Sequence, residues 1–321
     1  MNLVVTGGLG FIGSNFIKYW LSENRQDSVI NIDKLGYASD PAYLKDLSEN
    51  RDYTFVKGDI NDNSILRKYL KDTDAIVNFA AESHVDNSIQ NSDVFVQSNF
   101  LGVKKILDEV KERGIRFHQV STDEVFGTLT KRINSKFRES TRYNPRNPYS
   151  ATKAAADLMI GAYINTYNIN ATISYSGNNY GPHQHPEKFV PKIILHAILN
   201  KKVPIYGNGE QMRDWVYVLD HCNAIGLILK SSMPGKRYLI SSGEELSNKS
   251  LATKILTMMG KDVALLEFVK DRPGHDIRYS SDSSRIRNKL KWKPKYSLQD
   301  GLVETIKHYS LNLNLYETKI Q

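Results

Sequence analysis

A short apolar run at 3–6 leads straight into Gly7-Gly8-Leu9-Gly10-Phe11-Ile12-Gly13, where a helical pattern begins. Glycines at 7, 10 and 13 permit a tight strand-to-helix turn. They also let the backbone approach a pyrophosphate at a helix N-terminus, where free N–H groups and the helix dipole favour an anion. Taken alone, such a turn is equally a plain βα connection. Its context is what constrains the fold. The next apolar run, 29–33, ends in Asp33, about twenty residues after Gly13, where a carboxylate can hold ribose hydroxyls.

Further β-branched runs at 53–60, 75–80, 117–121 and 171–176 alternate with helical spacing over 11–22, 62–71, 94–113 and a long stretch after Tyr149. This alternation predicts an α/β fold with a doubly wound, parallel, Rossmann-type sheet. Past Gly181 the character changes. Residues 182–192 read as loop and 189–200 as helix. The runs VPIY, DWVYV and RYLIS read as short strands between Gly-rich turns, and helices are expected over 250–259, 283–290 and 298–309. We expect an NAD-binding domain over 1–180, its sheet completed by some later segments. A smaller C-terminal α/β substrate lobe should occupy most of 181–321.

Composition narrows the class. The chain has 321 residues, 40% hydrophobic and 24% charged, as in ordinary globular proteins. No apolar run is long enough to span a bilayer, and the first residues lack the basic region of a signal peptide. Cys222 is the only cysteine. It rules out an intrachain disulfide and fits a reducing cytoplasm. Cys222 falls in a helical pattern and reads as a packed thiol. The net charge of +8 invites a polyanion partner. The Lys and Arg residues are scattered, however, with only short clusters such as 291–295, and there is no basic arm or nucleic-acid motif. A moderate positive field suits a diphosphate substrate equally well.

An acid at Asp33 repels a 2′-phosphate and so favours NAD over NADP. Asp59 is placed either to touch an adenine or to cap the next turn. Ala80 and Ala81 are small enough for close cofactor passage or for tight packing. Tyr149 and Lys153 lie four residues apart, on one helical face. Such a pair can remove a hydroxyl proton, or can be a surface pair of no consequence. Just upstream stand Thr122, Asp123 and Glu124, at the end of the 117–121 run. Alcohol oxidation needs only the Tyr and Lys. A paired acid and base point to a second reaction such as an elimination. Adjacent carboxyls push their pKa values apart, which supports opposite roles. Successive strand residues face opposite ways, so both can act only if the chain turns there.

TGGLGFIG, Tyr149-x-x-x-Lys153 and NNYGP (178–182) resemble the extended short-chain dehydrogenase/reductases. Within these, AAESHVDNSI (80–89), STDEVFG (121–127), NPYSATKAAAD (147–157), PIYGNGEQMRDWVYVLDH (204–221) and DRPGHDIRY (271–279) are similar to the dTDP-glucose 4,6-dehydratase family. The resemblance implies a homodimer through helices near 94–112 and 149–167, and a nucleotide-sugar substrate, with no nucleic acid and no membrane. It implies that NAD is held by Gly7, Gly10, Phe11, Ile12, Gly13, Asp33 and Lys34, then by Asp59, Ile60, Ala80 and Ala81, and by Tyr149, Lys153 and Asn178.

Tyr149 and Lys153 would oxidise the sugar C4 hydroxyl, with Thr122 bonded to it. Glu124 would take the C5 proton and Asp123 would protonate the leaving C6 hydroxyl. The substrate would lie against Ser83, His84, Asn179, Glu187 and Lys188, and further along against Arg213, Asn248, Arg272 and His275. Arg213 and Arg272 suit bidentate diphosphate binding, although a surface salt bridge is the commoner fate of an Arg. Tyr206 is either the base-stacking ring or a core aromatic. His84 and His275 lack partners at metal spacing, so no metal is expected. The alternatives are a UDP-sugar 4,6-dehydratase, a 4-epimerase or decarboxylase on the same fold, a non-catalytic NAD sensor, and a nucleic-acid binder resting only on a pI near 9.2.

Overall fold

The computed structural model describes residues 1–130, 135–231, 233–271 and 274–320. Six strands arise in order through the first part of the chain: β1 (Asn2–Thr6), β2 (Ser28–Asp33), β3 (Tyr53–Lys57), β4 (Ala75–Asn78), β5 (Arg116–Thr122) and β6 (Ala171–Ser176). After them come β7 (Asn178–Tyr180), β8 (Val203–Tyr206), β9 (Met212–Tyr217), β10 (Arg237–Ile240), β11 (Glu245–Ser247) and β12 (Leu266–Val269). The large sheet has seven strands in the order β10-β6-β5-β4-β1-β2-β3, and each pair within it is parallel. The order reverses between β1 and β4. In doubly wound sheets the crevice at that switch point, beyond the carboxyl ends of the strands, takes the ligand.

Burial on both faces explains why the strands read as continuous apolar runs rather than alternating ones. Val4 and Ile76 face a core built with Val103, Ile106, Val110 and Ile160. Their neighbours Leu3, Val5, Ala75 and Val77 face the opposite core, with Phe16, Ile17, Trp20 and Ile225. Cys222 belongs to that second core and is fully buried.

The later segments divide. β10 returns to the large sheet and pairs with β6. The others form a three-stranded sheet, β11-β9-β7, and a two-stranded one, β12-β8. A separate core of Ile193, Ile194, Val203, Ile205, Leu251 and Leu302 holds this smaller lobe together. No helix among the described residues is long and apolar enough to cross a membrane.

The run at 53–60 is shorter as a strand than its composition suggests. β3 stops at Lys57 because Asp59 forms a side-chain turn, accepting from the Asn61 backbone N–H at 2.8 Å. The 94–113 stretch is interrupted. A wider π-helical segment, Val96–Leu101, separates Asp93–Phe95 from the α-helix Gly102–Arg113. The segment buries Ser98 and Asn99.

Candidate active site

Two clefts meet above the large sheet. The smaller, of about 230 Å³, follows the Gly-rich turn, and the larger, of about 660 Å³, opens against the small lobe. Tyr37 and His185 line both.

The turn works by close approach. Gly7 has φ +72°, and a Cβ there would lie 2.6 Å from Ala80 Cα; a Cβ on Gly13 would lie 2.5 Å from the Gly7 carbonyl oxygen. The helix Phe11–Glu23 starts at Gly10 with no side-chain cap and no acidic residue in its first turn. Its opening N–H groups therefore border the small cleft without a competing carboxylate. Gly7, Gly10, Phe11, Ile12 and Gly13 line that cleft, followed by Asp33, Lys34, Asp59, Ile60, Ala80 and Ala81. Asp33 is buried. It accepts from the Leu9 N–H at 2.9 Å and the Ser39 hydroxyl at 2.9 Å, which locks β2 to the turn. Lys34 is engaged by Glu82 at 2.8 Å. Asp59 both caps its turn and faces the cleft.

Tyr149 and Lys153 line the same cleft, 9% and 3% exposed. They sit at the start of the helix Pro148–Tyr167, opened by Pro148 at its first position and by a reciprocal Asn147–Ser150 capping box. Lys153 Nζ donates to the Val120 carbonyl at 2.8 Å. Burial lowers its pKa to about 8, opposed by the Asp157 carboxyl one turn on. Burial and then the Glu124 charge push Tyr149 above its ordinary range, while a bond from Thr122 works against them. Tyr149 thus holds its proton until a cation or a reacting hydroxyl changes its surroundings.

At the end of β5 the chain does turn. Thr122 caps a 3₁₀ turn, Asp123–Phe126, accepting from the Glu124 N–H at 3.3 Å. The turn separates the two acids. Glu124 lines the large cleft. Asp123 is 1% exposed, and its Oδ2 has no hydrogen-bond partner among the described residues. Burial, then the negative charges of Glu124 and Asp214, raise Asp123 well above the usual carboxylate range, against the pull of Arg213.

His84, Glu187, Tyr206, Arg213, Asn248 and His275 join Glu124 on the large cleft. Ser83 and Lys188 lie on the small one, with Lys188 Nζ donating to the Ser83 carbonyl at 2.9 Å. Tyr206 is 40% exposed, with the His275 ring edge-on at 6.3 Å, so it is not a core aromatic. Arg213 is held by the Met212 and Asp276 carbonyls and by the Tyr279 ring face.

Four residues stand elsewhere than expected. Ser83 and Lys188, expected against the substrate, line the small cleft. Asn178 lines the large cleft rather than the small one. Asn179 lines neither. Its amide donates to Ser176 Oγ at 2.7 Å, and its oxygen pairs with His221 Nδ1 at 2.9 Å, so the side chain is consumed in fixing β7. Arg272 lies outside the described residues. Sequence reasoning missed Tyr37, whose hydroxyl donates to Glu187 at 3.0 Å, and Tyr279 and Lys319 on the large cleft. Tyr279 lay within a motif singled out from the sequence.

A Gly-rich βα turn with a strand-end Asp, facing a buried Tyr–Lys pair that opens onto a second cleft, defines a dinucleotide-dependent dehydrogenase/reductase with additional acid–base groups. The chain belongs to the family described as GDP-mannose 4,6 dehydratase, whose model matches residues 4–305. The low-salt glycan biosynthesis protein Agl12 of Haloferax volcanii is 44% identical over 310 residues, covering 96% of this chain and 98% of that protein. dTDP-glucose 4,6-dehydratase of Mycobacterium tuberculosis is 42% identical over 313 residues, covering 97% and 94%. Among solved structures, the dTDP-glucose 4,6-dehydratase DesIV of Streptomyces venezuelae, with NAD and TYD bound, matches at a TM-score of 0.96 and 40% identity, covering 99% of each chain.

Proposed function

We propose that this chain is an NAD-dependent hydro-lyase that converts dTDP-glucose to dTDP-4-keto-6-deoxyglucose and water. The observation that carries the reading is the environment of the two acids. Glu124 faces the substrate cleft, while Asp123 is buried beside it under conditions that keep its proton. A 4-epimerase needs neither. Likeness to the dTDP-glucose 4,6-dehydratases over nearly the whole chain supports the substrate.

The small cleft fits a dinucleotide. Gly7 and Gly13 leave room where a Cβ would collide, Ala80 and Ala81 keep its wall low, and Asp33 stands at the strand end. When bound, NAD supplies a hydride carrier that ends each turnover as it began. The protein's own groups move the protons. Tyr149 takes the C4 hydroxyl proton, helped by the Lys153 ammonium, and Thr122 orients that hydroxyl. The C4 ketone acidifies C5–H, and Glu124 removes that proton. Asp123 protonates the C6 hydroxyl, which leaves as water, and Glu124 then returns its proton to C5 as C6 regains the hydride. Arg213 and Lys188 bind phosphate, and Tyr206 stacks on the base.

The same reading makes the protein a cytoplasmic homodimer. Ile89, Val94, Val96, Leu158 and Tyr167 are exposed on or beside the two helical stretches expected to pair, and a second copy would cover them. Light scattering should give twice the chain mass.

The test of the function is an incubation of purified protein with dTDP-glucose. The product should be lighter by one water, without NADH accumulating. NADH formed in step with product would make the protein a simple dehydrogenase.

A further inference from the structure

The helix Phe189–Ile198 forms one wall of the large cleft. Phe189, Lys192 and His196 share one of its faces, and all three line the cleft with Pro204 and Tyr206 of β8. His196 is 8% exposed and is pinned from two sides. Its backbone carbonyl accepts from the Lys201 N–H at 2.8 Å, and its Nδ1 pairs with the Lys202 carbonyl at 2.5 Å. A carbonyl only accepts, so Nδ1 carries the hydrogen, and in the neutral ring Nε2 is an acceptor. That Nε2 is buried in the cleft wall and has no hydrogen-bond partner among the described residues. An acceptor left unpaired in a protein interior is costly, and a ligand that brings a donor to it recovers that cost. Lys202 immediately precedes β8, so the ring is fixed at the start of the strand that carries Tyr206. Lys192 lies one turn back on the same face, partly buried, with no ion-pair partner among the described residues. Its ammonium has donors and no acceptor.

Resting on the dehydratase reading, we propose that His196 and Lys192 determine specificity for the nucleobase: His196 Nε2 accepts the N3–H of the pyrimidine, and the Lys192 ammonium donates to the carbonyl at C4. Thymine and uracil present that donor beside that acceptor. Cytosine presents the reverse, a bare N3 beside a C4 amino group. It would set lone pair against lone pair at His196 and N–H against ammonium at Lys192. Side chains one helical turn apart are neighbours, so the two can converge on adjacent positions of one base edge. Tyr206 reads the face of the base and accepts any ring, since every base has a π-face. The edge pair supplies the discrimination that stacking lacks. It is blind to the C5 methyl and leaves the choice between thymine and uracil to other contacts.

The test is equilibrium binding of UDP and of CDP to the NAD-loaded protein. The two ligands share ribose and diphosphate and differ only at N3 and C4 of the base. The wild type should hold UDP at least roughly tenfold more tightly than CDP. His196→Phe keeps a ring in place and removes the acceptor, and should lower that ratio by about tenfold. Lys192→Met should lower it in the same direction. A general packing defect would weaken both nucleotides alike and leave the ratio where it was. If His196→Phe does not fold, Lys192→Met carries the test, because the Lys192 ammonium is not bonded within the fold among the described residues. An unchanged ratio in a folded variant overturns the proposal, and so does a wild type that holds CDP as tightly as UDP. Binding needs no turnover. A wild type that selects UDP over CDP and yet fails to dehydrate dTDP-glucose would reject the functional reading and leave the base assignment standing.

Discussion

Lys153 donates its ammonium to the carbonyl oxygen of Val120 at 2.8 Å, joining the Pro148–Tyr167 helix to the last residues of β5. One turn further along, Asp157 accepts from the Ser121 hydroxyl at 2.6 Å. The helix carrying Tyr149 and Lys153 and the Thr122-Asp123-Glu124 turn are thereby held by consecutive residues of one strand. A displacement of either group moves the other.

The half-reactions should still be separable by substitutions that change chemistry and leave these two bonds in place. Tyr149→Phe should stop the reaction before any hydride transfer. Glu124→Gln should show a transient rise in NADH absorbance and then stall, with dehydration slowed by roughly 10²–10⁴-fold. Stopped-flow absorbance with product analysis checks both. Near wild-type dehydration by Glu124→Gln would remove it as the base.

Acid stability should depend on buried histidines. His118 is enclosed between Thr172 Oγ1 at 2.9 Å and Ser174 Oγ at 3.0 Å, and burial lowers its pKa to about 3; His221 falls likewise to about 3. Their stabilising contribution is complete above the unfolded value of about 6.5 and is lost as pH falls from there toward 3, at up to about 1.4 kcal/mol per pH unit for each. Asp157 acts in the opposite sense. Its pKa is raised to about 7, so its contribution is complete below the unfolded value of about 3.9 and is lost as pH rises through 7. Thermal melts between pH 6.5 and 4 should show a shallower loss of Tm for His118→Gln and a steeper one for Asp157→Asn. Identical slopes in all three proteins would contradict the assignment.

The Gly-rich turn predicts a contrast between two alanines. Gly7→Ala meets both a positive φ and the Ala80 backbone at 2.6 Å. It should cost more than about 2 kcal/mol and abolish NAD retention. Gly114→Ala, at φ +69° with nothing within 4 Å, meets only the backbone penalty of about 1 kcal/mol. Denaturant melts and the absorbance of bound NAD measure both.

Much of this was legible in the residues, for identifiable reasons. The Gly7–Gly13 turn, Asp33 and the runs forming β1 to β6 carry local signals, periodicity and turn chemistry, that tertiary packing did not override. β7 and β11 did not declare themselves, because three-residue strands such as Asn178–Tyr180 and Glu245–Ser247 have no readable period. Asn179 resembled a ligand and proved to be a brace for His221.

Nucleotide choice should be a preference and not an exclusion. Tyr206 presents an exposed ring to either pyrimidine. One methyl in an apolar pocket is worth about 1–3 kcal/mol, so kcat/KM for dTDP-glucose should exceed that for UDP-glucose by roughly tens- to hundreds-fold. Equal values, or a preference for UDP-glucose, would reject the dTDP assignment and leave the dehydration chemistry standing.

The destination of the C4 hydrogen separates dehydration from every alternative. dTDP-glucose deuterated at C4 should give a product that carries the deuterium at C6, because the hydride lost on oxidation is returned there after water has left. Deuterium found at C4 of a product that keeps its oxygen at C6 would show epimerisation. Deuterium released with free NADH would show simple oxidation, and either result would contradict a 4,6-dehydratase.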